Sequence, residues 1–290
     1  MTTRMTRHVS VIAFAGFVAM AGRASPADTT GFTYAFASPP NIPYLTSTRI
    51  PLRTGALALA DFNGDGRADA AVPGVTVAGV AVVTGSTTAT WITAGACPVS
   101  LAAGDFNADG RTDLAVCEQN AGGVAIYTNN GIGGLARTAF YPTGDVSRAV
   151  GPTAVQAVDM DANGKPDLLV ANRFAETAVV LYNTGSGFVL GQSVPVAGEP
   201  NALAAADLYG QGRLDVAVAC AADDTVKVLR NANGTLEPGG TFDAGPYPVA
   251  IAAVGTAALA AAAGIGRMVM KAADAAGELV DMSLQTGLSV

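Results

Sequence analysis

A nine-residue polar segment recurs along this 290-residue chain, and its repetition constrains the fold more than any other feature. The copies are DFNGDGRAD at 61–69, DFNADGRTD at 105–113, DMDANGKPD at 159–167 and a diverged DLYGQGRLD at 207–215. Successive copies begin 44, 54 and 48 residues apart. Repeats of this period indicate structural units that stack on one another, because one unit is too small to bury its own apolar face.

The residues around the copies repeat as well. An apolar stretch such as LAV or LLV follows each copy, and further on GGVAIYTNNGIGGL, TAVVLYNTGSGFVL and DTVKVLRNANGTL share an alternating strand with an Asn/Gly-rich turn. A fifth unit begins at Pro248, where PVAIAAVGTAALAAAA keeps two strands but shortens the loop between them at Gly255. A proline stands seven residues before three of the copies: Pro98, Pro152 and Pro200.

These units of roughly 45–54 residues, with about four short strands each, are typical of propeller blades. Strands such as ALALA, DLAVC and DLLVAN are almost wholly apolar, which indicates burial on both faces between neighbouring blades. The sequence therefore predicts an all-β protein, a β-propeller of about five four-stranded blades forming one domain at 28–290. We expect GFTYAF near the N-terminus to complete a blade begun by TGLSV at the C-terminus, which would close the ring. No segment has the capped 3.6-residue period of a helical solenoid.

Residues 1–27 have the order of a secretory signal peptide: basic residues, the apolar run VIAFAGFVAMA, then small residues. Cleavage after Ala24 or Ala27 is expected, with Ala21 as a further site, and the alternative is an uncleaved anchor. The alanine-rich AIAAVGTAALAAAAGIG is the nearest other candidate for a membrane span, but its glycines and repeat alignment favour strands. We predict a secreted or periplasmic protein that is not inserted in a membrane after cleavage.

The charge balance excludes some partners. Of 16 basic residues three lie in the leader, which leaves 13 against 23 acidic ones and a net charge of −10 for the mature chain. An acidic protein of this kind is a poor binder of nucleic acid and of anionic membrane surfaces. Excess carboxylate suits a protein that binds divalent cations.

Histidine and cysteine usage narrows the chemistry further. The single histidine, His8, lies in the leader, which excludes Ser-His-Asp and Cys-His catalysis and HExxH zinc sites in the mature chain. Cys97, Cys117 and Cys220 are an odd number in an exported protein, so either one disulfide and one thiol or three buried thiols are expected. Three cysteines in so long a chain are not a disulfide scaffold.

The nine-residue segments carry the pattern of a cation site. Side-chain oxygens fall at positions 1, 3, 5 and 9, a glycine at position 6 permits a sharp turn, and position 7 offers a backbone carbonyl. Hard oxygen ligands of this number suit Ca²⁺, whereas Mg²⁺ prefers more water and Zn²⁺ prefers nitrogen or sulfur. The alternative is a solvated turn, although a turn usually needs only one Asp or Asn and a Gly. The predicted ligands of about three calcium ions are Asp61, Asn63, Asp65, Arg67 and Asp69; Asp105, Asn107, Asp109, Arg111 and Asp113; and Asp159, Asp161, Asn163, Lys165 and Asp167.

The stretches ADFNGDGRADAAV, GDFNADGRTDLAV and VDMDANGKPDLLV resemble the FG-GAP or VCBS-type repeat of integrin-α-like propellers. This resemblance implies calcium-binding loops between strands, and it is compatible with adhesion proteins, lectins and accessory modules of enzymes. The spacing is also similar to the first half of an EF-hand loop, without its position-12 glutamate and with strands instead of helices. The fourth copy has Tyr209 and Gln211 where acids belong, so we expect no ion there.

Three functions fit these observations. The first is a secreted binding module for a glycan or an extracellular protein, in which calcium is structural. The second is a polysaccharide lyase or glycoside hydrolase, which would use carboxylates outside the loops; the third is a cell-surface adhesion or structural protein. Trp91 is either a packing residue at a blade edge or a sugar platform, and Tyr127 and Tyr182 are expected in the core. The candidate catalytic acids are Asp145, Glu118, Glu176, Glu199, Asp223, Asp224 and Asp243.

Overall fold

The chain divides into two units, Met1–Ile50 and Pro51–Val290. A computed structural model describes residues 13–14, 17–18, 57–74, 78–84, 88–95, 97–145, 147–196, 198–254, 257–262, 268–273 and 279–281. In the first unit, β1 (Ala13–Phe14) pairs antiparallel with β2 (Phe17–Val18). The rest of the predicted leader lies outside the described residues. The GFTYAF and TGLSV segments also lie outside them, so the predicted closure of the ring stays a prediction.

The second unit is built from β-strands, which form five four-stranded antiparallel sheets among the described residues. Each sheet takes four strands consecutive in the chain and keeps them in sequence order, which confirms the four strands predicted for each repeat. A 3₁₀ turn, Gln119–Ala121, connects β8 to β9 in the second sheet. The strands are β3 (Ala58–Ala60), β4 (Asp69–Pro73), β5 (Gly79–Thr84), β6 (Thr88–Thr93), β7 (Pro98–Gly104), β8 (Asp113–Glu118), β9 (Gly123–Asn129), β10 (Leu135–Pro142), β11 (Pro152–Val158), β12 (Asp167–Asn172), β13 (Thr177–Asn183), β14 (Phe188–Pro195), β15 (Pro200–Ala206), β16 (Asp215–Cys220), β17 (Thr225–Ala232), β18 (Thr235–Asp243), β19 (Pro248–Val254), β20 (Ala257–Ala262), β21 (Met268–Ala273) and β22 (Leu279–Asp281).

The repeated prolines mark where the sheets begin. Pro98, Pro152, Pro200 and Pro248 are the first residues of β7, β11, β15 and β19. Proline has no N–H to donate to a strand ladder, so it is tolerated at the first position of a strand. The pairing register shifts directly after each of these prolines, as a β-bulge does.

The core lies between successive sheets and not within one sheet. In β8, Leu114 and Val116 join an apolar cluster with the first sheet, while Ala115 and Cys117 join a cluster with the third sheet. Two further clusters fill the spaces between the third and fourth and between the fourth and fifth sheets. Because successive side chains of a strand point to opposite faces, a strand between two sheets buries every residue. This explains why DLAVCE, DLLVAN and DVAVAC are buried throughout, as predicted.

The first strands of successive sheets lie against one another in chain order, from β3 through β7, β11 and β15 to β19. Small residues dominate these strands, as in LAAG and NALAAA, because they crowd together at the inner edge of the sheets. The arrangement is propeller-like. Among the described residues it is an open series of sheets, since the strands described close no ring.

The alanine-rich segment in the fifth unit forms the predicted strands. β19 and β20 pair with Val254 opposite Ala257, so the acidic loop of the earlier sheets is reduced to residues 255–256. Within the part of the chain that the structure describes, no helix has the length and apolar character needed to cross a membrane.

The three cysteines form no disulfide. Cys117 lies in the cluster between the second and third sheets, and Cys220 lies between the third and fourth. Burial raises the pKa of the Cys117 thiol, and burial raises that of Cys220 to about 11. Of the two expectations from the sequence, the structure therefore has three thiols, of which Cys97 is only partly buried.

The aromatic residues singled out above take different positions. Tyr127 is buried, as predicted, and its hydroxyl donates to the Thr93 carbonyl at 3.1 Å. Tyr182 packs against the cluster between the third and fourth sheets, and its hydroxyl donates to the Gly234 carbonyl. Trp91 lies on the outer strand β6 with 41% of its surface exposed.

Candidate functional site

Each nine-residue segment connects the first strand of its sheet to the second. The segments at 61–69, 105–113, 159–167 and 207–215 therefore lie at the same end of the first four sheets. The last residue of each segment is the first residue of the second strand. The predicted position in a strand-to-strand hairpin is confirmed.

The position 1 aspartate wraps the loop around its own carboxylate. In the first loop, Asp61 Oδ1 accepts hydrogen bonds from the amides of Gly64 (2.7 Å) and Asp65 (3.2 Å), and Oδ2 accepts one from Gly66 (2.8 Å). These bonds, led by that from Gly66, lower the pKa of Asp61. Gly66 has φ +80°, the left-handed conformation that glycine adopts without strain. Asp105, Asp159 and Asp207 bind the amides of the fourth and fifth residues after them in the same way.

Positions 3 and 5 brace the turn through local hydrogen bonds. Asn63 Oδ1 accepts from the Asp65 amide at 2.9 Å, and Asp65 Oδ1 accepts from the Arg67 amide at 2.8 Å. The Asn63 amide also donates to Asp65 Oδ2 at 3.2 Å. The second and third loops repeat this arrangement. All of these oxygens can accept further bonds, because a carboxylate offers about four lone-pair directions.

The third loop concentrates negative charge. One carboxylate oxygen from each of Asp159, Asp161 and Asp167 lies within 4.8 Å of the others, and this is the one such group of three in the part of the chain that the structure describes. Burial, joined by the charges of Asp161 and Asp159, raises the pKa of Asp167 against opposing hydrogen bonds from Asn183 and Met160. Burial likewise raises the pKa of Asp113 in the second loop, with smaller contributions from Asp109 and Asp105. A bound cation would offset the repulsion between these carboxylates.

The position 9 aspartate is buried beneath the loop. In the third loop, Asp167 Oδ2 accepts from the Met160 amide at 2.9 Å, and Oδ1 accepts from the Asn183 amide at 2.7 Å. Asn183 ends β13, the third strand of the same sheet. The predicted metal ligand at position 9 thus also ties the first hairpin to the third strand.

The asparagine that meets position 9 also reaches the preceding sheet. Asn183 Nδ2 donates to the Phe106 carbonyl of the second loop at 3.1 Å and to the Pro166 carbonyl at 3.2 Å. Asn129 donates to Phe62 O and Asn231 donates to Met160 O, each at 2.8 Å. We call these three residues, Asn129, Asn183 and Asn231, the asparagine clasps. Sequence reasoning missed them, although each stands 16 residues after its position 9 aspartate.

Two other positions have roles that the sequence analysis did not assign. Position 2 is apolar in all four copies, and its side chain is buried in an inter-sheet cluster: Phe62, Phe106, Met160 and Leu208. Position 7 was predicted to act through its carbonyl, but its side chain reaches the outer turn. Arg111 donates to Asn129 O at 3.2 Å, and Lys165 donates to Thr184 O at 3.3 Å.

The acids outside the loops mostly have structural partners. Glu118 is buried and pairs with Arg137 at 2.8 Å, Glu199 pairs with Arg173 at 2.5 Å, and Asp223 pairs with Lys227 at 3.1 Å. Three other acids of this group accept hydrogen bonds within turns. Asp145 accepts from Ser147, Asp224 from the Tyr247 amide, and Asp243 from the Gly245 amide.

Similar structures share the fold at low identity. A protein from Lactobacillus plantarum has a TM-score of 0.60 and 14% identity over 79% of this chain and 69% of that one. BBS1N, solved in complex with ARL6DN, has a TM-score of 0.56 and 16% identity over 77% and 64%. The periplasmic gluconolactonase PpgL of Pseudomonas aeruginosa has a TM-score of 0.52 and 19% identity over 67% and 55%. The chain thus spans less than two thirds of the BBS1N and PpgL chains.

No curated protein matches the sequence. The FG-GAP-like repeat family matches it at residues 105–170 and 159–218, two overlapping stretches that cover the second, third and fourth loops. These are the residues whose loops, clasps and strands repeat in the structure. Residues 105–218 of the chain therefore consist of FG-GAP-like repeats.

Proposed function

We propose that this protein is an exported calcium-binding β-propeller that acts as a binding module, with calcium in a structural role. The observation that carries the calcium assignment is the third loop, where three carboxylates converge within 4.8 Å. The ligands there would be Asp159, Asp161, Asn163, Asp167 and the Lys165 carbonyl. The first two loops would use the same positions.

The donor set fits calcium. Ca²⁺ takes six to eight oxygen ligands in flexible geometry, from carboxylates, amide and backbone carbonyls and water. Each of the first three loops supplies oxygens of these kinds on one tight turn, and the position 1 carboxylate is already oriented by backbone amides. Magnesium demands a stricter octahedron and retains more water, so it should bind less well.

The stability expected from calcium binding is large enough to explain the acidic loops without a catalytic role. A site whose free Ca²⁺ is about tenfold above the dissociation constant gains roughly 1.4 kcal/mol of stability. Three sites together gain about 4 kcal/mol, against total stabilities of about 5–15 kcal/mol for folded domains. Calcium bound in this way would act as a set of structural links at one end of the sheets.

The binding role is supported by the leader and the fold. The leader predicts export to a compartment where calcium is plentiful, and propeller-like sheets place many loops at their two ends for contact with a glycan or an extracellular protein. A closed ring of five blades would complete this surface. New reducing ends or unsaturated products from a polysaccharide panel would instead indicate a lyase or hydrolase and refute a pure binding role.

The calcium assignment is tested by thermal unfolding of the purified protein. Removal of calcium by a chelator should lower the Tm by about 8–16 °C for three sites, since about 1 kcal/mol shifts the Tm of a domain of this size by roughly 2–4 °C. Calcium should restore the Tm better than magnesium at equal concentration. An unchanged melting curve in chelator would falsify the assignment.

The fourth loop provides a matched control. Asp159 and Asp207 stand at position 1 of their loops, and each accepts hydrogen bonds from two backbone amides. Replacement by asparagine should therefore disturb the two turns alike. Asp159→Asn should remove about one third of the calcium-dependent shift in Tm. Asp207→Asn should leave that shift intact, because its loop lacks acids at positions 3 and 5. Equal losses in the two variants would show that the third loop holds no ion.

A further inference from the structure

One of the links between successive sheets is longer than the others. The links from the fourth strand of one sheet to the first strand of the next are residues 94–97, 196–199 and 244–247, but the link between the second and third sheets is residues 143–151. This nine-residue link helps to explain why the second and third copies of the repeat are 54 residues apart. In repeat proteins, insertions map to loops on one face, which is often the binding face.

The long link lies at the end of the sheets opposite the acidic loops. Acidic loops follow first strands, whereas the links follow fourth strands, and the strands of each sheet are antiparallel. The 3₁₀ turn between β8 and β9 and the turn between β12 and β13 lie at the same end as the link. Whatever the long link does is thus separate from the candidate calcium sites.

The link borders a solvent-open cavity with a volume of about 280 Å³. Its walls are the turn at 119–122, link residues 148–151 and Phe174, which come from two adjacent sheets. Hydrogen bonds fix these walls. The amide of the buried Thr143 donates to Gly122 O at 3.1 Å, and the amides of Arg173 and Phe174 donate to Gly151 O and Val150 O at 2.8 and 3.1 Å. A cavity held by backbone bonds costs little to organise when a ligand binds.

An aromatic face lies at the cavity. Phe174 is 56% exposed, and its ring lies over Gly151. Gly151 has φ +63°, and a Cβ at this position would clash with the ring. The glycine therefore both permits the link's conformation and leaves room for the ring.

The polar side chains of the cavity are planar. Gln119, Asn120 and Arg148 line the cavity. The Gln119 amide oxygen accepts from Cys97 Sγ at 3.8 Å, and the Arg148 guanidinium forms no ion pair within 4.0 Å among the described residues. Asp145, on the same link, is held by hydrogen bonds from Ser147 and offsets the charge of Arg148 nearby. The cavity thus combines donors and acceptors with little net charge.

We propose that this cavity binds one ring of a neutral carbohydrate. A pyranose has an apolar C–H face, which would pack on Phe174, and a rim of hydroxyls, which Gln119, Asn120 and Arg148 would hydrogen-bond. The cavity volume is slightly below the roughly 300–1,000 Å³ of pockets for drug-sized ligands, which suits a single ring. The net charge of −10 for the mature chain, 13 basic against 23 acidic residues, disfavours an anionic glycan. The inference rests on the proposed binding role and names its site and ligand class.

The test uses the full calcium-loaded protein. Methyl glycosides of glucose, mannose and galactose, with glucuronate as the acidic probe, are titrated by calorimetry and by ligand-observed NMR. At least one neutral glycoside should bind with a dissociation constant in the low millimolar range, as expected for so small a ligand, and more tightly than glucuronate. Phe174→Ala and Arg148→Ala should each weaken binding about tenfold or more.

Two further variants serve as controls. Trp91→Ala removes another exposed aromatic residue, on the outer strand β6, and should leave binding unchanged. Deletion of residues 145–149 leaves a four-residue link like the other three, and it should abolish sugar binding but preserve the calcium-dependent shift in Tm. That shift reports on the proposed calcium scaffold alone, so either idea can fail without the other.

Three results would overturn the inference. The first is that none of the neutral glycosides binds, and the second is that glucuronate binds as tightly as they do. The third is that binding survives Phe174→Ala and is lost in Trp91→Ala, which would move the sugar to the outer strand.

Discussion

Replacement of Asn183 by alanine tests whether the asparagine clasps hold successive sheets together. Asn183 is 2% exposed, and its amide group makes three hydrogen bonds. It donates to Phe106 O of the preceding sheet (3.1 Å) and to Pro166 O (3.2 Å), and it accepts from the Gly185 amide (2.9 Å). Alanine leaves all three backbone groups without this partner.

The magnitude follows from these contacts. A neutral hydrogen bond contributes about 0.5–1.5 kcal/mol, and a buried group left unsatisfied costs at least as much. We therefore expect Asn183→Ala to lower the free energy of unfolding by about 2–4 kcal/mol. For a domain of this size that corresponds to a decrease in Tm of roughly 4–16 °C.

The assay is thermal unfolding followed by far-UV circular dichroism, with chelator present throughout. Chelator is needed because the Asn163 side chain of the third loop donates to Asn183 O, so a change at Asn183 could also alter an ion site. The matched control is Asn120→Ala, an exposed asparagine on the 3₁₀ turn, for which a change within about 0.5 kcal/mol is expected. Asn183→Asp keeps the acceptor for Gly185 but loses both donors, so it should destabilise at least as much as the alanine variant. A Tm for Asn183→Ala within about 2 °C of the wild type would refute the clasp.

Two further predictions concern titration and thiols. Burial raises the folded-state pKa of Asp113 and Asp167 above 3.8, so their protonation favours the native state, and the chelated protein should gain stability from them as pH falls toward 3.8. The same protonation weakens calcium binding. The calcium-dependent difference in Tm should therefore shrink as pH falls, and a constant difference would contradict the assignment. The lowered pKa of Asp61 acts below 3.8 and does not enter this window. Cys117 and Cys220 are buried, so with a thiol reagent such as DTNB at most Cys97 should react in the native state. All three thiols should react in denaturant. Only one reactive thiol in denaturant would indicate a disulfide.

The sheets could be predicted from the sequence because their signals are local. Pro98, Pro152 and Pro200 recur before three of the four loops, and apolar runs such as DLLVAN identify strands with two buried faces. The fifth sheet was predictable for the same reason, since the pattern that starts at Pro248 persists without the acids. The predicted ring closure has weaker support, because it depends on segments at the two ends of the chain. A resemblance of a few residues does not specify which strands would pair there.

The clasps and the cavity could not be predicted, because both depend on which segments the fold brings together. Asn183 lies 77 residues from the carbonyl that it binds, and nothing in a single sequence pairs the two. The spacing of 54 residues was visible, but only the packing of the second sheet against the third places the long link beside Phe174. Position 2 was a signal that could have been used, because Phe62, Phe106, Met160 and Leu208 are apolar within otherwise polar loops.

The fourth loop distinguishes the positions of the nine-residue segment that hold the fold from the positions proposed to bind calcium. It keeps Asp207 at position 1 with both backbone bonds, Leu208 buried at position 2, and Asp215 at position 9 bound to the Asn231 amide at 2.9 Å. It has Tyr209 and Gln211 where the other loops have Asp or Asn, yet it keeps the two backbone bonds to position 1 and the clasp to Met160 O at 2.8 Å. The fold therefore requires neither an acidic side chain at positions 3 and 5 nor an amide at position 3. In the first three loops the acidic side chains at these positions add negative charge near the buried position 9 aspartate. The proposed calcium ion accounts for their presence, because it would offset the repulsion.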